Sequence, residues 1–317
     1  MLVRCPKCSG QDLIVFLTAA AVRTEAFRRD QFLFERGART EPPAPIEEAM
    51  TADEPPSADI AECPRCRILV RRDSRRSNDP SAPPSAAAIY ERESIYRPLL
   101  APGAKVLEIG PRSAAFLEAA GAWEWDAVGV EIRGASTAFF RAAAASELQE
   151  IPLDQAAFKP RAFDGVFMWS GFEQIADPNS LLAVCERVLR PGGALVLHTP
   201  NALFYRVCQR RLREAADDEV GSWITRALAY EGLLTHPFQY GYGSHALADL
   251  AAQHGFTQAA ARNVSSMAKP LAAMAHWMED ERRSALSTVL SWSEVIRFQA
   301  DGILTGPWME LVYRSRP

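Results

Sequence analysis

Apolar and polar positions fall into two alternating rhythms along most of this chain. Short aliphatic and β-branched runs at 105–109, 127–130, 148–152, 164–169, 194–199, 257–264 and 308–314 read as strands. Between them, residues 113–120, 136–147, 179–189 and 244–254 carry helical composition or spacing. The clearest of these puts Leu181, Leu182, Val184, Cys185, Val188 and Leu189 on one side, which makes Cys185 a core residue. A further helix over 89–100 carries Tyr90 and Tyr96. Strands that alternate with helices predict an α/β domain, with a sheet covered by helices on both faces.

The first strand and helix meet at Gly110-Pro111, a turn on which a ligand can lie. The second strand ends at Glu131, about twenty residues on, where an acid at a strand tip can bond both ribose hydroxyls of an adenosine. Residues 104–132, AKVLEIGPRSAAFLEAAGAWEWDAVGVEI, resemble the first half of the class I S-adenosylmethionine-dependent methyltransferases. The likeness continues through Phe163-Asp164-Gly165-Val166-Phe167-Met168-Trp169, Glu173-Gln174-Ile175-Ala176-Asp177-Pro178 and Arg190-Pro191-Gly192-Gly193-Ala194-Leu195-Val196-Leu197.

That resemblance implies a Rossmann-like methyltransferase sheet closed by an antiparallel strand at 308–314. It implies S-adenosylmethionine as cofactor, held by Glu108, Gly110, Pro111, Arg112, Glu131, Ile132, Trp169 and Ser170. The region of Asp154 and Gln155 matches the family's adenine contact. The family loop reads E-x-G-x-G-x-G, and here Arg112 and Ala114 replace two glycines. An arginine there must point away or cover the carboxylate of the methionine moiety. Glu173, at the end of the fourth strand, is a candidate base or substrate acceptor, or an organiser of its own loop. Ser170 and Gln174 stand where many relatives carry a histidine. His198, at the end of the fifth strand, reads as a buried or loop-stabilising residue.

Four of the six cysteines form two knuckles, Cys5-Pro6-Lys7-Cys8 and Cys63-Pro64-Arg65-Cys66. Two such turns brought together make the four-thiolate cage of a structural Zn²⁺ site. The long spacer between the pairs is tolerable, because loop-closure entropy grows only logarithmically. Residues 1–72 are therefore expected to be a zinc ribbon with a long insertion. Within the insertion, 13–17 and 31–35 are expected as strands and 24–29 as helix. Residues 41–62, rich in Pro, Ala and acid, are expected as a mobile loop. A Ser, Pro and Arg linker at 73–88 leads to the methyltransferase domain at 89–317.

That domain carries a lid insertion at 202–243 and a helical insertion at 270–300. The lid ends in His236-Pro237-Phe238-Gln239-Tyr240-Gly241-Tyr242-Gly243, an aromatic, glycine-punctuated loop suited to substrate contact. His236 and Tyr240 join Glu173 as catalytic candidates, with Tyr242 and His245 as further contacts.

A hydrophobic content of 48% suits a packed core, and a net charge of −4 argues against a broad nucleic-acid footprint. No run approaches the roughly 18 apolar residues of a membrane span. The cysteine pairs favour a reducing cytoplasm over a secreted protein. The expected partner is a small-molecule acceptor such as a sugar or secondary metabolite; oligomeric state does not follow. Three other readings remain: an RNA methyltransferase, an NAD-dependent oxidoreductase that uses Glu131 for its ribose, and a non-catalytic scaffold binding protein or RNA.

Overall fold

The computed structural model describes residues 4–35, 42, 59–71, 93–110, 115–132, 149–151, 158–169, 171–214, 224–225, 228, 238–264 and 306–317. The chain divides into two compact units. One comprises Met1–Asp79, Pro200–Gly243 and Asn263–Trp308, the other Pro80–Thr199, Ser244–Arg262 and Met309–Pro317.

The second unit is built on a seven-stranded sheet. Its strands are β4 (Lys105–Ile109), β5 (Asp126–Ile132), β6 (Gln149–Ile151), β7 (Phe163–Trp169), β8 (Leu189–Pro200), β10 (Phe256–Val264) and β11 (Trp308–Ser315). They lie in the order β10-β11-β8-β7-β4-β5-β6. β4 pairs in parallel with β5 and β7, β5 with β6, and β7 with β8. β11 runs the other way. Gly192 N–H donates to Arg316 O near one end of β8, and Asn201 N–H donates to Pro307 O just past the other. The expected closing antiparallel strand is therefore present.

The strands are apolar because both faces of a parallel sheet are covered. Val106, Leu107 and Ile109 of β4 are buried, as are residues 194–197 of β8. Helix Ala115–Ala122 buries Phe116, Ala119 and Ala120. Phe116 sits 4.6 Å from Phe167 and 5.4 Å from Trp169, ring centre to ring centre. Tyr96 meets Trp169 edge-on at 5.0 Å. Gly165 is fixed by packing, since a Cβ there would lie 2.8 Å from Leu100 Cδ1 and 2.9 Å from the Phe167 ring. At the amino ends of the strands, Asp164 accepts from Lys105 N–H at 2.8 Å and pairs with Arg190.

Helix Pro178–Val188 has its proline in the first turn and Asp177 as N-cap. It buries Leu181, Leu182, Cys185 and Val188, while Val184 is only partly covered and Leu189 already belongs to β8.

The first unit carries a four-stranded sheet in the order β1-β2-β3-β9, formed by Ile14–Leu17, Ile60–Glu62, Leu69–Arg71 and Tyr240–Gly241. Two expectations are corrected here. Residues 31–35 are not a strand but the last turn of helix α1, Ala19–Glu35. Thr18 Oγ1 and Asp59 Oδ1 accept from the first free N–H groups of that helix, those of Ala21 and Ala19. Gln31 donates to Glu35 at 2.6 Å, so helix propagation overrides the local strand preference. Residues 60–62, expected to be loop, form β2, with Ile60 and Ala61 fully buried between β1 and β3.

Residues 202–243 cluster in this unit. β9 pairs with β3, Tyr240 opposite Val70, and Arg71 N–H donates to Gln239 O at 3.0 Å. Helix α5, Ala202–Glu214, packs Phe204, Tyr205 and Cys208 with Leu17, Val22, Ile60 and Leu69. The linker at 73–88 and the insertion at 270–300 lie outside the described residues.

Asp177 accepts from Ser180 Oγ at 2.6 Å and Ser180 N–H at 3.0 Å, bonds that hold its carboxyl below the ordinary carboxylate range. A depressed acid stabilises above its unfolded value and loses that contribution as pH falls through the folded one. Asp177→Ala is expected to cost about 1 kcal/mol in urea unfolding at neutral pH. The deficit should shrink only as the pH is taken below about 3.9, the ordinary Asp value.

Candidate functional site

The carboxyl ends of β4, β5 and β7 emerge at one edge of the seven-stranded sheet. Glu108 lies opposite Gly129 of β5 and Phe167 of β7. Its side chain is 2% exposed. Among the described residues its buried Oε2 has no hydrogen-bond partner. Burial pushes its carboxyl well above the ordinary carboxylate value.

Two residues on, Gly110 has φ +66° and donates its N–H to Val130 O at 2.8 Å. Among the described residues a Cβ at Gly110 would meet nothing within 4 Å. Glu131 and Ile132 close β5 one and two positions past the Ile109–Val130 pair, with Glu131 opposite Glu150 of β6. A buried acid with one oxygen unpartnered among the described residues thus lies two positions before a left-handed turn, at the sheet edge where ligands of open α/β folds bind. Pro111, Arg112, Ser170, Asp154 and Gln155 lie outside the described residues.

Glu173 sits in a 3-10 turn, Phe172–Gln174, after β7 and is 1% exposed. Its Oε2 accepts from Gly171 N–H at 3.0 Å and from Thr199 Oγ1 at 3.1 Å, and Gln174 Nε2 approaches Oε1 at 3.5 Å. The carboxylate thus ties the turn after β7 to the end of β8. Trp169 and His198 pair across β7 and β8, their rings 6.2 Å apart, and both are buried. Trp169 belongs to the aromatic core with Tyr96 and Phe116.

In the first unit, Cys5, Cys8, Cys63 and Cys66 converge, their four Sγ atoms all within 4.8 Å of one another and Cys8 3.7 Å from Cys63. Zn–S bonds of about 2.3 Å set tetrahedral thiolates about 3.8 Å apart, so the cluster has the dimensions of a Zn²⁺ cage. The two knuckles share one backbone geometry. Cys5 N–H donates to Gly10 O and Ser9 N–H to Cys5 O; Cys63 N–H donates to Ile68 O and Arg67 N–H to Cys63 O. Ser9 and Arg67 occupy the left-handed region at φ 56° and 58°. Arg67 takes without glycine the conformation glycine usually supplies. The other two cysteines differ in kind. Burial pushes the Cys185 thiol up to about 12 and the Cys208 thiol well above its ordinary value, so both stay protonated in the core.

A clasp beside the second knuckle had no local signal in the sequence. Arg206 Nη1 of α5 donates to Glu62 Oε1 at 2.7 Å and Arg67 O at 2.8 Å, while Arg67 Nε reaches Glu62 Oε1 at 2.9 Å. Tyr240 is buried in the same unit, its ring 6.2 Å from that of Tyr242. His236 lies outside the described residues, and His245 is exposed on helix Ser244–Gln253 of the second unit.

A family described as a methyltransferase domain matches residues 83–261. The chain belongs to that family. No curated protein sequence matches it. Among solved structures it is similar to phosphoethanolamine N-methyltransferase 2 of Haemonchus contortus in complex with phosphomonomethylethanolamine and S-adenosylhomocysteine. Identity is 15% and TM-score 0.44, over 74% of this chain and 54% of that one. The chain thus spans about half the length of that protein. It is also similar to a SAM-dependent methyltransferase from Archaeoglobus fulgidus, at 16% identity and TM-score 0.46, over 73% of this chain and 95% of that one.

Glu173→Gln is expected to cost about 1–3 kcal/mol and to speed hydrogen exchange through the turn after β7. Thr199→Val should cost less. In a double-mutant cycle of Glu173→Ala with Thr199→Val the two losses should fall short of additivity, since both variants remove the hydrogen bond that Thr199 Oγ1 donates to Glu173.

Proposed function

We propose that the chain transfers a methyl group from S-adenosylmethionine to a small-molecule acceptor, with the cofactor held along the carboxyl edge of β4 and β5. The observation that carries this reading is that edge itself, where the buried acid of Glu108 lies two residues before the left-handed turn at Gly110. Glu131, at the tip of β5, is the residue we assign to the ribose hydroxyls. Pro111, Arg112, Ile132, Trp169 and Ser170 are the further residues we assign to the cofactor.

S-adenosylmethionine supplies a methyl group on a sulfonium, displaced in line by the acceptor's nucleophile. Holding two reactants in line is worth about 7–11 kcal/mol, which makes positioning the protein's main task. A base is needed only where the acceptor must shed a proton early. Glu173 serves here as a positioning residue, because Gly171, Gln174 and Thr199 occupy its carboxylate. His236 and Tyr240 are the acceptor-side candidates. The acidic balance of the chain, −4, favours a small acceptor over RNA.

We assign a structural Zn²⁺ to Cys5, Cys8, Cys63 and Cys66. Four protein ligands leave no open position for chemistry. Thiolates of this kind suit a reducing compartment, and we place the protein in the cytoplasm on that ground. No helix among the described residues is long and apolar enough to cross a membrane.

Calorimetric titration with S-adenosylmethionine and S-adenosylhomocysteine should give binding that Glu131→Ala abolishes. Absence of binding at millimolar ligand, in folded protein, would turn the assignment toward a non-catalytic scaffold. Metal analysis should find one zinc per chain, lost in Cys63→Ser and retained in Cys185→Ser. Because protons compete for the thiolates, zinc release should grow as pH falls.

A further inference from the structure

The first unit carries a half-open cavity of about 470 Å³ between helix α1 and helix α5. That volume falls in the range of small-molecule sites, about 300–1,000 Å³. Phe16, Leu17, Leu212 and Leu228 supply apolar wall. The polar lining is sharply placed. Glu25 stands on α1, where its Oε2 accepts from Tyr205 Oη at 2.9 Å and from Gln209 Nε2. Among the described residues Oε1 takes no hydrogen bond, and the residue lines the cavity. Burial lifts its carboxyl to about 7 against the pull of Tyr205, Gln209, Arg29 and Arg28.

Arg28 and Arg213 also line the cavity, and both are exposed, so they stand at its rim. Arg213 lies over the Phe16 ring at 5.4 Å. The third arginine of the lining, Arg29, is engaged by Asp30 at 2.7 Å. Arg28 follows Glu25 by three residues on one helix, which brings their Cβ atoms to about 5–6 Å. A half-buried acid with a rim cation one helical turn away on α1 and a second on α5, beside an apolar wall, complements a ligand that carries both charges close together on an apolar body.

We propose that this cavity binds a small amphipathic zwitterion, an apolar dipeptide or amino-acid conjugate. Its ammonium group bonds Glu25, its acid group meets Arg28 and Arg213, and its side chains lie against Phe16, Leu212 and Leu228. The cavity is built from residues of one compact unit, and the proposal does not rest on the methyl-transfer reading.

The test titrates the full-length, zinc-loaded chain with leucyl-phenylalanine, its N-acetyl form and its C-terminal amide. The free dipeptide is expected to bind saturably, and each blocked form about tenfold more weakly. Glu25→Gln should erase the preference for the free amine over the acetylated form. Arg213→Gln should reduce the preference for the free acid over the amide. Circular dichroism and zinc content check that both variants fold, and the comparison of the three ligands on the unaltered protein stands without them. Failure of the dipeptide to bind, or a blocked form binding as tightly, overturns the proposal.

Discussion

Strand β4 lies hydrogen-bonded between two parallel neighbours, and most of the second unit's geometry follows from that pairing. Parallel registry obliges β4, β5 and β7 to finish at the same edge, with Glu108 level with Gly129 and Phe167. Parallel strands also need crossover connections that cover both faces of the sheet. The aromatic cluster of Tyr96, Phe116, Trp123, Trp125, Phe167 and Trp169 fills such a covered space and holds the strand ends still. Removing one of its large rings would cost about 3–5 kcal/mol, a large share of a domain's whole stability. The strand end that carries Glu108 and Gly110 therefore rests on a rigid base.

Most of this unit was legible along the chain because its signals are local. Residues 105–109 and 163–169 carry the apolar runs of buried strands, Gly110 breaks the first, and Asp177-Pro178 opens the helix that buries Cys185. The motif order fixed the strand sequence, down to the reversed last strand. Glu173 was legible as an important acid. Which of its roles the geometry favours depended on Thr199, a residue 26 positions away that no spacing rule connects to it.

The first unit was legible only at its cysteines. Each knuckle announces itself within four residues, and the two share the same turn geometry around Ser9 and Arg67. Their surroundings depend on partners remote in sequence. β3 is completed by β9, Glu62 is held by Arg206, and Glu25 by Tyr205 across 180 positions. Residues 31–35 misled because a strand-like composition carries little weight once a capped helix is already running into it. A buried charge such as Arg206 is costly unless its partners are in place. The clasp on Glu62 and the Arg67 carbonyl therefore ties the order of α5 to that of the second knuckle.

The pairing of β3 with β9 has a consequence for how the protein is made. A ribosome releases the cysteine knuckles early, but the strand that completes their sheet and the helix that covers it emerge only after β4 to β8 have been synthesised. During that interval the nascent ribbon carries an unpaired strand edge and four accessible thiols, the features that invite misassociation and oxidation. Early metal capture would guard the thiols, and the strand edge would still wait for residues 240–241. Synthesis thus runs in one direction, while the ribbon can close only after the intervening sheet strands have left the ribosome.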